Sequence, residues 1–503
     1  MTPEIVIGPP GCGKTTHMMR LVEEEISRGT DPRRIGFLTF TRRGAGEGIS
    51  RACSRFGLRP GDLPNFRTLH SLCFRWLGIT RSEVLAGSSL LEFADWVGTR
   101  VSLERRDDGT AGYEQGDRIL HMINVARGRC IPLRQLYDED DDQLPWSEVS
   151  RVSRALAEYK RARHLLDYAD FLSEFLRYAP RIGLDVLLVD EAQDLSLLQW
   201  RVIEHLAASC RRLVVCGDDD QSIFVWAGAD ASYLIDMRGA DSTLGQSWRV
   251  PRAIQDVANN VISRVRHRRP KTWLPRDEAG QVDRCGLLQS GLLSHGESVL
   301  VLARNDYVLR EMAEPWLREE GHIYQRHGRA SVPHDLVSAI DSWERLRRGE
   351  PILVQDARHV YKFINTRGGG LRRGYKRLPG FGEDELVGLG DLRARGGLLV
   401  GDVIWHEALD MIPPEDLSYI LAVRRNGERI LHNADPRIRV STIHASKGGE
   451  ADHVVLMTEC AARTWDEYER NPENEARVWY VAATRARKRL TIVGADTHRS
   501  YSL

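Results

Sequence analysis

Residues 7–16 read Ile-Gly-Pro-Pro-Gly-Cys-Gly-Lys-Thr-Thr, and they continue from the short apolar run Ile5–Ile7 near the start of the chain. They match the pattern G-x-x-x-x-G-K-[ST], in which glycines let backbone N–H groups curl around an anion. Lys14 can reach the outer phosphates, and Thr15 offers a hydroxyl to Mg²⁺. A glycine-rich turn between a strand and a helix, with no ligand, is the alternative. We predict a nucleotide-binding loop made of Gly8, Pro9, Pro10, Gly11, Cys12, Gly13, Lys14, Thr15 and Thr16.

The composition is that of an ordinary globular protein with more than one domain. A chain of 503 residues is too long for a single hydrophobic core. Its 71 basic residues balance 71 acidic ones, so nucleic-acid binding would need local patches of charge. No apolar run approaches the roughly 18–20 residues that span a bilayer, and no signal peptide is evident. We therefore expect no membrane contact. The eight cysteines form no C-x-x-C pair, so we expect neither a zinc site nor a disulfide framework, and a reduced, cytoplasmic setting is the simplest interpretation.

Apolar runs rich in β-formers alternate with helix-like stretches along the chain, which is typical of parallel α/β domains. The pattern is interrupted between about residues 78 and 180, where helical periodicity dominates, and between about 340 and 432, where the sequence is charged and glycine-rich. We therefore predict two α/β cores, each with an insertion. The predicted strands are Glu4–Ile7, Ile35–Phe40, Val186–Asp190, Leu213–Cys216, Ser298–Ala303, Arg439–Ile443, His453–Met457 and Leu490–Val493.

The predicted strand at 186–190 ends in two adjacent carboxylates, Asp190 and Glu191. At the carboxyl edge of a parallel sheet, Asp190 can hold Mg²⁺ and its water shell, as Thr15 can from the phosphate loop. Glu191 can then polarise the water that attacks the γ-phosphate. An acidic pair that merely caps a helix is the alternative. With the phosphate loop in the same chain, the pair predicts an ATP hydrolase rather than a binding module.

The next predicted strand leads into Gly217–Trp226, which reads Gly-Asp-Asp-Asp-Gln-Ser-Ile-Phe-Val-Trp. Together with Val189–Asp194, it closely resembles motifs III and II of the UvrD/Rep-type superfamily 1 DNA helicases. The other motifs of that family follow in order and span the chain. They resemble residues 8–16 (motif I), 39–41 (Ia), 66–70 (the T-x-H element), 246–249 (IV), 440–450 (V) and 480–486 (VI).

The resemblance implies two RecA-like P-loop NTPase domains in tandem, each with an inserted, mainly helical or irregular subdomain. Core 1 would comprise residues 1–77 and 181–245, with a helical insertion at 78–180. Core 2 would comprise residues 246–339 and 433–503, with a short insertion at 340–432.

The same resemblance assigns roles around the nucleotide. Gln221 would sense the γ-phosphate, and Arg249 and Arg485 would reach it from core 2 as charge-stabilising fingers. Trp248 stands where the family usually has a tyrosine that stacks on adenine, and an indole offers the same flat face. Glu450 would bind the ribose or assist in the cleft. With Lys14, Asp190 and Glu191, the catalytic set is complete.

For single-stranded DNA, contacts that ignore sequence are needed, namely backbone hydrogen bonds and aromatic faces. Trp226 is the expected base-stacking platform, with core packing as its alternative, and Phe66 is as readily explained by a core position. The positions that match the family's DNA contacts are Thr39, Thr41, Phe66, Thr68, His70, Phe224, Trp226, Thr442 and His444.

The chain also departs from the family pattern. Seven residues precede Gly8, so the upstream glutamine motif that reads adenine is not expected, and Trp248 becomes the main hold on the base. Ala227 replaces a common arginine, Gly449 replaces a leucine, and both insertions are short. The basic run Arg367–Arg377 could contact duplex DNA, or it could be a solvated loop.

The resemblance implies an ATP-dependent helicase that moves 3′→5′ on single strands and unwinds duplexes, using ATP and Mg²⁺. Single-stranded DNA and single-strand/duplex junctions are the expected partners, in a bacterial or phage-infected cell, with repair and replication among the uses. The alternative is a DNA-dependent ATPase that acts as a nucleotide-switched clamp or strips proteins from DNA without processive unwinding.

Overall fold

Strand β1 shows why the first half of the chain forms a parallel sheet with helices on both faces. Ile5 and Ile7 pack into one hydrophobic cluster, while Val6, between them, packs into another. Successive residues of a strand point to opposite faces, so both faces of this sheet are covered. The computed structural model describes residues 2–40, 42–102, 114–139, 144–294, 296–428 and 435–503.

The first sheet has six parallel strands in the order β3-β2-β4-β5-β1-β6. Its carboxyl edge carries the phosphate loop after β1 and the acidic residues after β4 and β5. The strands are β1 Glu4–Ile7, β2 Ile35–Thr39, β3 Phe66–Thr68, β4 Val186–Val189, β5 Arg212–Gly217 and β6 Ala240–Thr243.

Between β3 and β4 the chain forms a helical insertion with its own core, which includes Phe93, Met122 and Val152. Helices α4 to α7 build this unit, whereas α8 packs Phe171, Leu172 and Phe175 into the hydrophobic cluster of the first sheet. The remaining helices flank the sheet. The helices are α1 Lys14–Ser27, α2 Arg42–Phe56, α3 Leu69–Trp76, α4 Ser88–Val97, α5 Gln115–Gly128, α6 Leu133–Glu139, α7 Trp146–Arg163, α8 Tyr168–Tyr178, α9 Leu197–Ala207 and α10 Ser232–Asp236.

The second sheet has seven strands in the order β12-β11-β15-β10-β16-β17-β9, all parallel except the β11–β12 pair. Strands β7 and β8 form a separate parallel pair, and β13 and β14 an antiparallel one. The strands are β7 Gln246–Pro251, β8 Leu274–Arg276, β9 Gln281–Cys285, β10 Val299–Ala303, β11 Tyr324–Arg326, β12 Arg329–Ala330, β13 Ile352–Leu353, β14 Leu386–Val387, β15 Ile438–Thr442, β16 Ala451–Met457 and β17 Ala486–Val493.

The second insertion is more helical than its charged sequence suggests, and α14 runs across its predicted start at residue 340. Trp343, Tyr361 and Trp405 bury their rings in the same cluster as Val301 of the sheet, so the insertion packs on the core. A π-helical turn at Leu309–Ala313 joins α12 to α13. The helices are α11 Arg252–Ile262, α12 Asp306–Val308, α13 Glu314–Glu319, α14 His334–Arg347, α15 Val354–Lys362, α16 Leu389–Ala394, α17 Trp405–Ala408, α18 Pro414–Arg425, α19 Ala462–Arg470 and α20 Pro472–Ala483.

The two sheets and two insertions confirm the predicted α/β class, and every predicted strand overlaps an observed one. Among the described residues, no helix is both long and apolar enough to cross a membrane.

Candidate nucleotide site and strand groove

The phosphate loop folds tightly between β1 and α1. The Gly8 N–H donates to the Gly217 carbonyl oxygen at 2.9 Å, and Lys14 Nζ donates to the Gly8 carbonyl oxygen at 2.8 Å. A Cβ atom at position 8 would lie 2.2 Å from Lys14 Cγ, so only glycine fits there. Gly13 has a φ of 81° directly before α1, a conformation that glycine adopts freely. The loop therefore presents the N-terminus of α1 to an anion.

Asp190 and Thr15, the two predicted metal ligands, are brought together at the carboxyl edge of the first sheet. The Thr15 side chain hydrogen-bonds to the Asp190 carboxyl group, which also accepts a bond from the Glu191 N–H at 2.9 Å. Burial, and then the neighbouring Glu191 carboxylate, raise the pKa of Asp190 to about 7. The backbone of Glu191 is left-handed, with a φ of 54°. Such strain in a non-glycine residue is often found at functional sites.

Glu191 has the opposite electrostatic setting. Burial opposes its ionisation, but the ammonium groups of Lys14 and Lys447 outweigh it and hold the pKa of Glu191 below its ordinary value. Gln193 Nε2 donates to Glu191 Oε2 at 2.6 Å and fixes that carboxylate in place. The pair thus combines an ionised carboxylate with a neighbour that retains its proton more readily, which suits distinct chemical roles.

The residues at this edge fit Mg²⁺. A hydroxyl and a carboxylate are hard oxygen ligands, and Mg²⁺ is commonly bound through one or two carboxylates plus substrate phosphates. A cation beside Asp190 would also favour its ionised form. In the described part of the chain, no group of three or more His, Cys, Asp or Glu side chains could hold a metal by itself.

Strand β7, from the second half of the chain, lies directly against the phosphate loop. Ser247 Oγ donates to the Pro10 carbonyl oxygen at 2.7 Å, and the Trp248 N–H donates to the Gly11 carbonyl oxygen at 2.9 Å. A Cβ atom at position 11, where φ is 71°, would lie 2.3 Å from Arg249 Cβ. The nucleotide loop is therefore one wall of a cleft whose other wall is β7.

The arginines predicted as fingers both face this cleft. Arg249 Nε donates to Glu450 Oε2 at 2.5 Å, and Arg485 Nη2 donates to Gln221 Oε1 at 2.8 Å. Burial and the nearby Arg249 guanidinium lower the pKa of Arg485 to about 9. Trp248 is 71% exposed, so its indole face is open. The structure thus gathers Gln221, Arg249, Glu450 and Arg485 opposite the loop, with Trp248 at the rim.

The groove predicted to hold DNA contains a cluster of aromatic rings. Phe224 stacks on Phe40 with 5.2 Å between centroids, and Trp226 stacks on His121 of α5 with 5.9 Å. The edge of Trp226 meets His444 at 6.3 Å. His444 is 3% exposed, and its Nδ1 has no hydrogen-bond partner among the described residues. Burial and nearby Arg304 hold the pKa of His444 well below its ordinary value, so this ring is neutral.

Of the remaining predicted DNA contacts, three threonines end strands and His70 lies in α3. Thr39 ends β2 and Thr442 ends β15, both nearly buried. Thr68 accepts from the Ser71 N–H at 3.3 Å and so caps α3. His70 contacts the half-exposed ring of Tyr168 edge-on at 5.9 Å, and burial lowers the pKa of His70 to about 4.

Two predicted contacts are not placed in the groove. Phe66 is 1% exposed and stacks on Phe37 inside the first core with 5.4 Å between centroids. Its ring is therefore a core residue, and we correct the expected DNA contact accordingly. Thr41 lies outside the described residues.

Comparison with known proteins assigns the family. The model of the UvrD/REP helicase N-terminal domain matches residues 1–240, and that of the UvrD-like helicase C-terminal domain matches residues 413–497. Together these matches cover more than half of the chain. The chain belongs to the UvrD/Rep helicase family. It is accordingly an ATP-dependent DNA helicase, and the family implies ATP as its fuel and DNA as its substrate.

Individual relatives of this helicase are distant. A probable DNA helicase II homolog of Rickettsia conorii is 22% identical over 99% of this chain and 91% of its own length. The ATP-dependent DNA helicase PcrA of Bacillus subtilis is 27% identical over 55% of this chain and 40% of its own. Among solved structures, a PRRSV helicase aligns with 98% of this chain and 52% of its own, at a TM-score of 0.34 and 11% identity.

The helicase site includes residues that sequence reasoning left without a role. Lys447 crosses from the second half and donates to Asp194 Oδ2 at 2.5 Å and to the Gln221 carbonyl oxygen at 2.6 Å. Burial raises the pKa of Asp194 to about 7 in spite of this lysine. Lys447 lies within the motif V match, so the signal was present. Its partners could not be read from it, because they are more than 200 residues away.

Arg51 of α2 also reaches the phosphate loop of the helicase, where its Nη1 donates to Thr16 Oγ1 at 3.3 Å. Nothing in its local sequence distinguishes it from a surface arginine. It adds a positive charge beside the loop, and it comes from the first half of the chain, whereas Arg249 and Arg485 come from the second half.

Proposed function

We propose that this helicase moves 3′→5′ along single-stranded DNA and unwinds duplexes ahead of it, driven by ATP hydrolysis in the cleft between the two sheets. The observation that carries the proposal is the Arg485–Gln221 hydrogen bond, which joins the second half to the turn that follows β5. Arg249 stands on the same wall. Closure around ATP would bring both guanidinium groups to the phosphates, and hydrolysis would release them.

In the hydrolysis step, the phosphate loop and Lys14 would hold the triphosphate, and Thr15 and Asp190 would hold Mg²⁺. When bound there, Mg²⁺ would supply charge stabilisation for the phosphate oxygens. Glu191 is ionised and fixed by Gln193, so it can orient the attacking water and draw off its proton. Trp248 would stack on the base, and Glu450 would hold Arg249 and the ribose side of the cleft.

The strand would bind across the ends of β2, β3 and β15, over the aromatic cluster. Phe224 and Trp226 follow Gln221 in the same short segment, so a base stacked on them would be mechanically linked to the γ-phosphate sensor. His444 offers an unpaired buried nitrogen on the far side of the same cluster. This proximity supports coupling between strand contact and ATP turnover.

The basic run Arg367–Arg377 supports a contact with duplex DNA at the junction. The loop is anchored, because Leu371 pairs with Leu398 and Leu378 is buried. Arg372 and Arg373 are exposed and form no ion pair with any described residue. An anchored loop with free cations suits a phosphate backbone. Arg372→Glu with Arg373→Glu should weaken binding to tailed duplex more than to single strands. Arg425→Glu, an exposed charge on α18, is the control.

Polarity is tested with matched duplexes that carry a single-stranded tail at either the 3′ or the 5′ end, with and without ATP. The proposal expects displacement only from the 3′-tailed substrate and only with ATP. Displacement from the 5′-tailed substrate alone would reverse the assigned direction.

A second assay separates unwinding from protein stripping. Streptavidin displacement from biotinylated single strands, measured beside duplex displacement, reports translocation without strand separation. Stripping without displacement of even a short duplex would favour the nucleotide-switched clamp over the proposed unwinding motor.

A further inference from the structure

Three consecutive aspartates, Asp218, Asp219 and Asp220, follow β5 and are all buried. Buried carboxylates need charged partners, since isolated ions are poorly solvated there. Lys271 provides one, with a fully buried side chain whose Nζ lies 3.0 Å from Asp218 Oδ1, 2.5 Å from Asp219 Oδ1 and 3.0 Å from Asp220 Oδ2. Burial disfavours the ammonium, but these carboxylates outweigh it and raise the pKa of Lys271 above its ordinary value.

This lysine belongs to the second half of the chain, in the segment between α11 and β8. Three other residues of that half hold the same acidic turn, one of them Arg269, whose N–H donates to Asp219 Oδ2 at 2.9 Å. Arg268 Nε donates to Asp220 Oδ1 at 2.8 Å, and Arg477 of α20 donates to the Asp219 carbonyl oxygen at 3.1 Å. The turn of the first half is therefore clamped by the second half from two directions.

Of these contacts, the one between Lys271 and Asp218 leads to the γ-phosphate sensor. Asp218 uses one carboxylate oxygen for Lys271, while its Oδ2 accepts from Gln221 Nε2 at 2.6 Å. With its amide nitrogen held in this way, Gln221 turns its Oε1 towards Arg485, whose Nη2 lies 2.8 Å away. A continuous chain of contacts thus runs from Lys271 through Asp218 and Gln221 to Arg485.

We propose that Lys271 is a positioning residue for ATP hydrolysis, acting through Asp218 to fix the side chain of Gln221 between the phosphate site and Arg485. The inference rests on the proposed role of Gln221 at the γ-phosphate. Lys271 itself touches no nucleotide. Its effect is on how often Gln221 stands in the productive orientation, and hence on turnover rather than on ATP capture.

The test is a double-mutant cycle on DNA-stimulated ATP hydrolysis by the full chain, with oligo(dT) as the strand. Lys271→Met should lower kcat at least tenfold and change KM for ATP less than threefold. In a Gln221→Ala background, the same change should lower kcat less than twofold further, because the positioned group is already gone. Arg268→Gln is the matched control: it removes a cation from the same cluster but not from Asp218, and should change kcat less than twofold.

Three outcomes would overturn the assignment. These are an unchanged kcat in Lys271→Met, an equal loss in Arg268→Gln, or a full further loss in the Gln221→Ala background, which would indicate a general packing role. If Gln221→Ala itself turns over ATP normally, the proposed role of Gln221 fails and the assignment falls with it. An additive loss on an impaired Gln221→Ala enzyme sinks the Lys271 assignment alone.

Because Lys271→Met leaves three buried carboxylates with fewer cations, Asp218→Asn is made in parallel. This variant improves the charge balance of the cluster and keeps its shape. It should also lower kcat severalfold, without an additive effect on Gln221→Ala. A wild-type kcat in Asp218→Asn would contradict the proposal even if Lys271→Met does not fold.

Discussion

Arg485 Nη2 donates to Gln221 Oε1 across 2.8 Å; Gln221 follows β5 of the first sheet, and Arg485 directly precedes β17 of the second. Arg485 is 1% exposed, and its guanidinium also donates to the carbonyl oxygens of Val481 and Gly449. A buried guanidinium with this many fixed partners has little freedom to reorient alone. Movement of Arg485 relative to the phosphate site therefore requires movement of the second half as a body.

Arg485→Lys should lower kcat for DNA-stimulated ATP hydrolysis about a thousandfold, since a lysine cannot reproduce the fork of a guanidinium and arginine fingers contribute about that much. Steady-state ATP hydrolysis at saturating single-stranded DNA measures it. Arg489→Lys, a change on β17 that keeps a surface ion pair with Asp283, should turn over normally. A loss below tenfold in Arg485→Lys would remove this residue from the transition state.

Glu191→Gln should lower kcat roughly a hundredfold or more, because a positioned base contributes about 10² to 10⁴. Binding of single-stranded DNA, followed by fluorescence anisotropy, should remain unchanged. Lys14→Ala should abolish hydrolysis as well, and in addition weaken nucleotide binding. Turnover retained by Glu191→Gln would mean that another group activates the water.

Trp226→Ala should raise the Kd for single-stranded DNA about tenfold and reduce DNA stimulation of ATP hydrolysis, since one base stack contributes about 1–3 kcal/mol. Trp76→Ala, at a 44% exposed tryptophan on α3, is the control and should change neither quantity. If Trp226→Ala instead lowers the melting temperature and leaves DNA stimulation intact, the indole is a packing residue against His121.

Glu25→Gln should reduce the free energy of unfolding by about 3 kcal/mol at pH 7, as removal of one partner from a buried ion cluster does. Burial opposes its ionisation, but hydrogen bonds from Arg211 and Arg212 outweigh it and lower the pKa of Glu25 to about 2. A lowered folded-state pKa gives stability that is present above pH 4.5 and lost as the pH falls towards 2.

Melting temperatures at pH 7 and pH 3 measure the Glu25 effect. The gap between wild type and Glu25→Gln should narrow at the lower pH. Glu24→Gln, at the neighbouring half-buried position whose arginine contacts are 3.9 Å long, should melt like the wild type at both values. A gap that is equal at both pH values would assign the loss to packing rather than to charge.

Strong local patterns made much of the fold predictable. Strands β1, β4 and β10 are short, apolar and buried on both faces, and such runs are readily predicted as strands from the sequence. By contrast, β6 was not predicted because Ala240–Thr243 is polar and exposed at the sheet edge. Helices α14 to α18 are harder to predict, because charged residues interrupt their apolar positions and glycine-rich segments lie between them.

For the site as well, residues in strong local motifs could be predicted from the sequence, and residues outside such motifs could not. Glu191 and Lys14 could be predicted, since each stands in a run whose chemistry is complete within ten residues. Lys271 and Arg51 could not be predicted, because their partners are distant in sequence and neither residue lies in a recognisable functional motif. The placement of Phe66 shows the converse: its motif match was sound, but stacking on Phe37 decides its position.

Gly11 shows that a residue in the second half of the chain can limit which amino acid fits at a position in the first half. The general phosphate-loop pattern leaves this position open to any amino acid. Here, a left-handed backbone and the β-carbon of Arg249 exclude every side chain. A methyl group at position 11 would leave the loop's own anion contacts in place but would keep β7 and Arg249 away from the loop. Where the two halves of the molecule must close on each other, the phosphate loop therefore accepts fewer residue types than the general pattern allows.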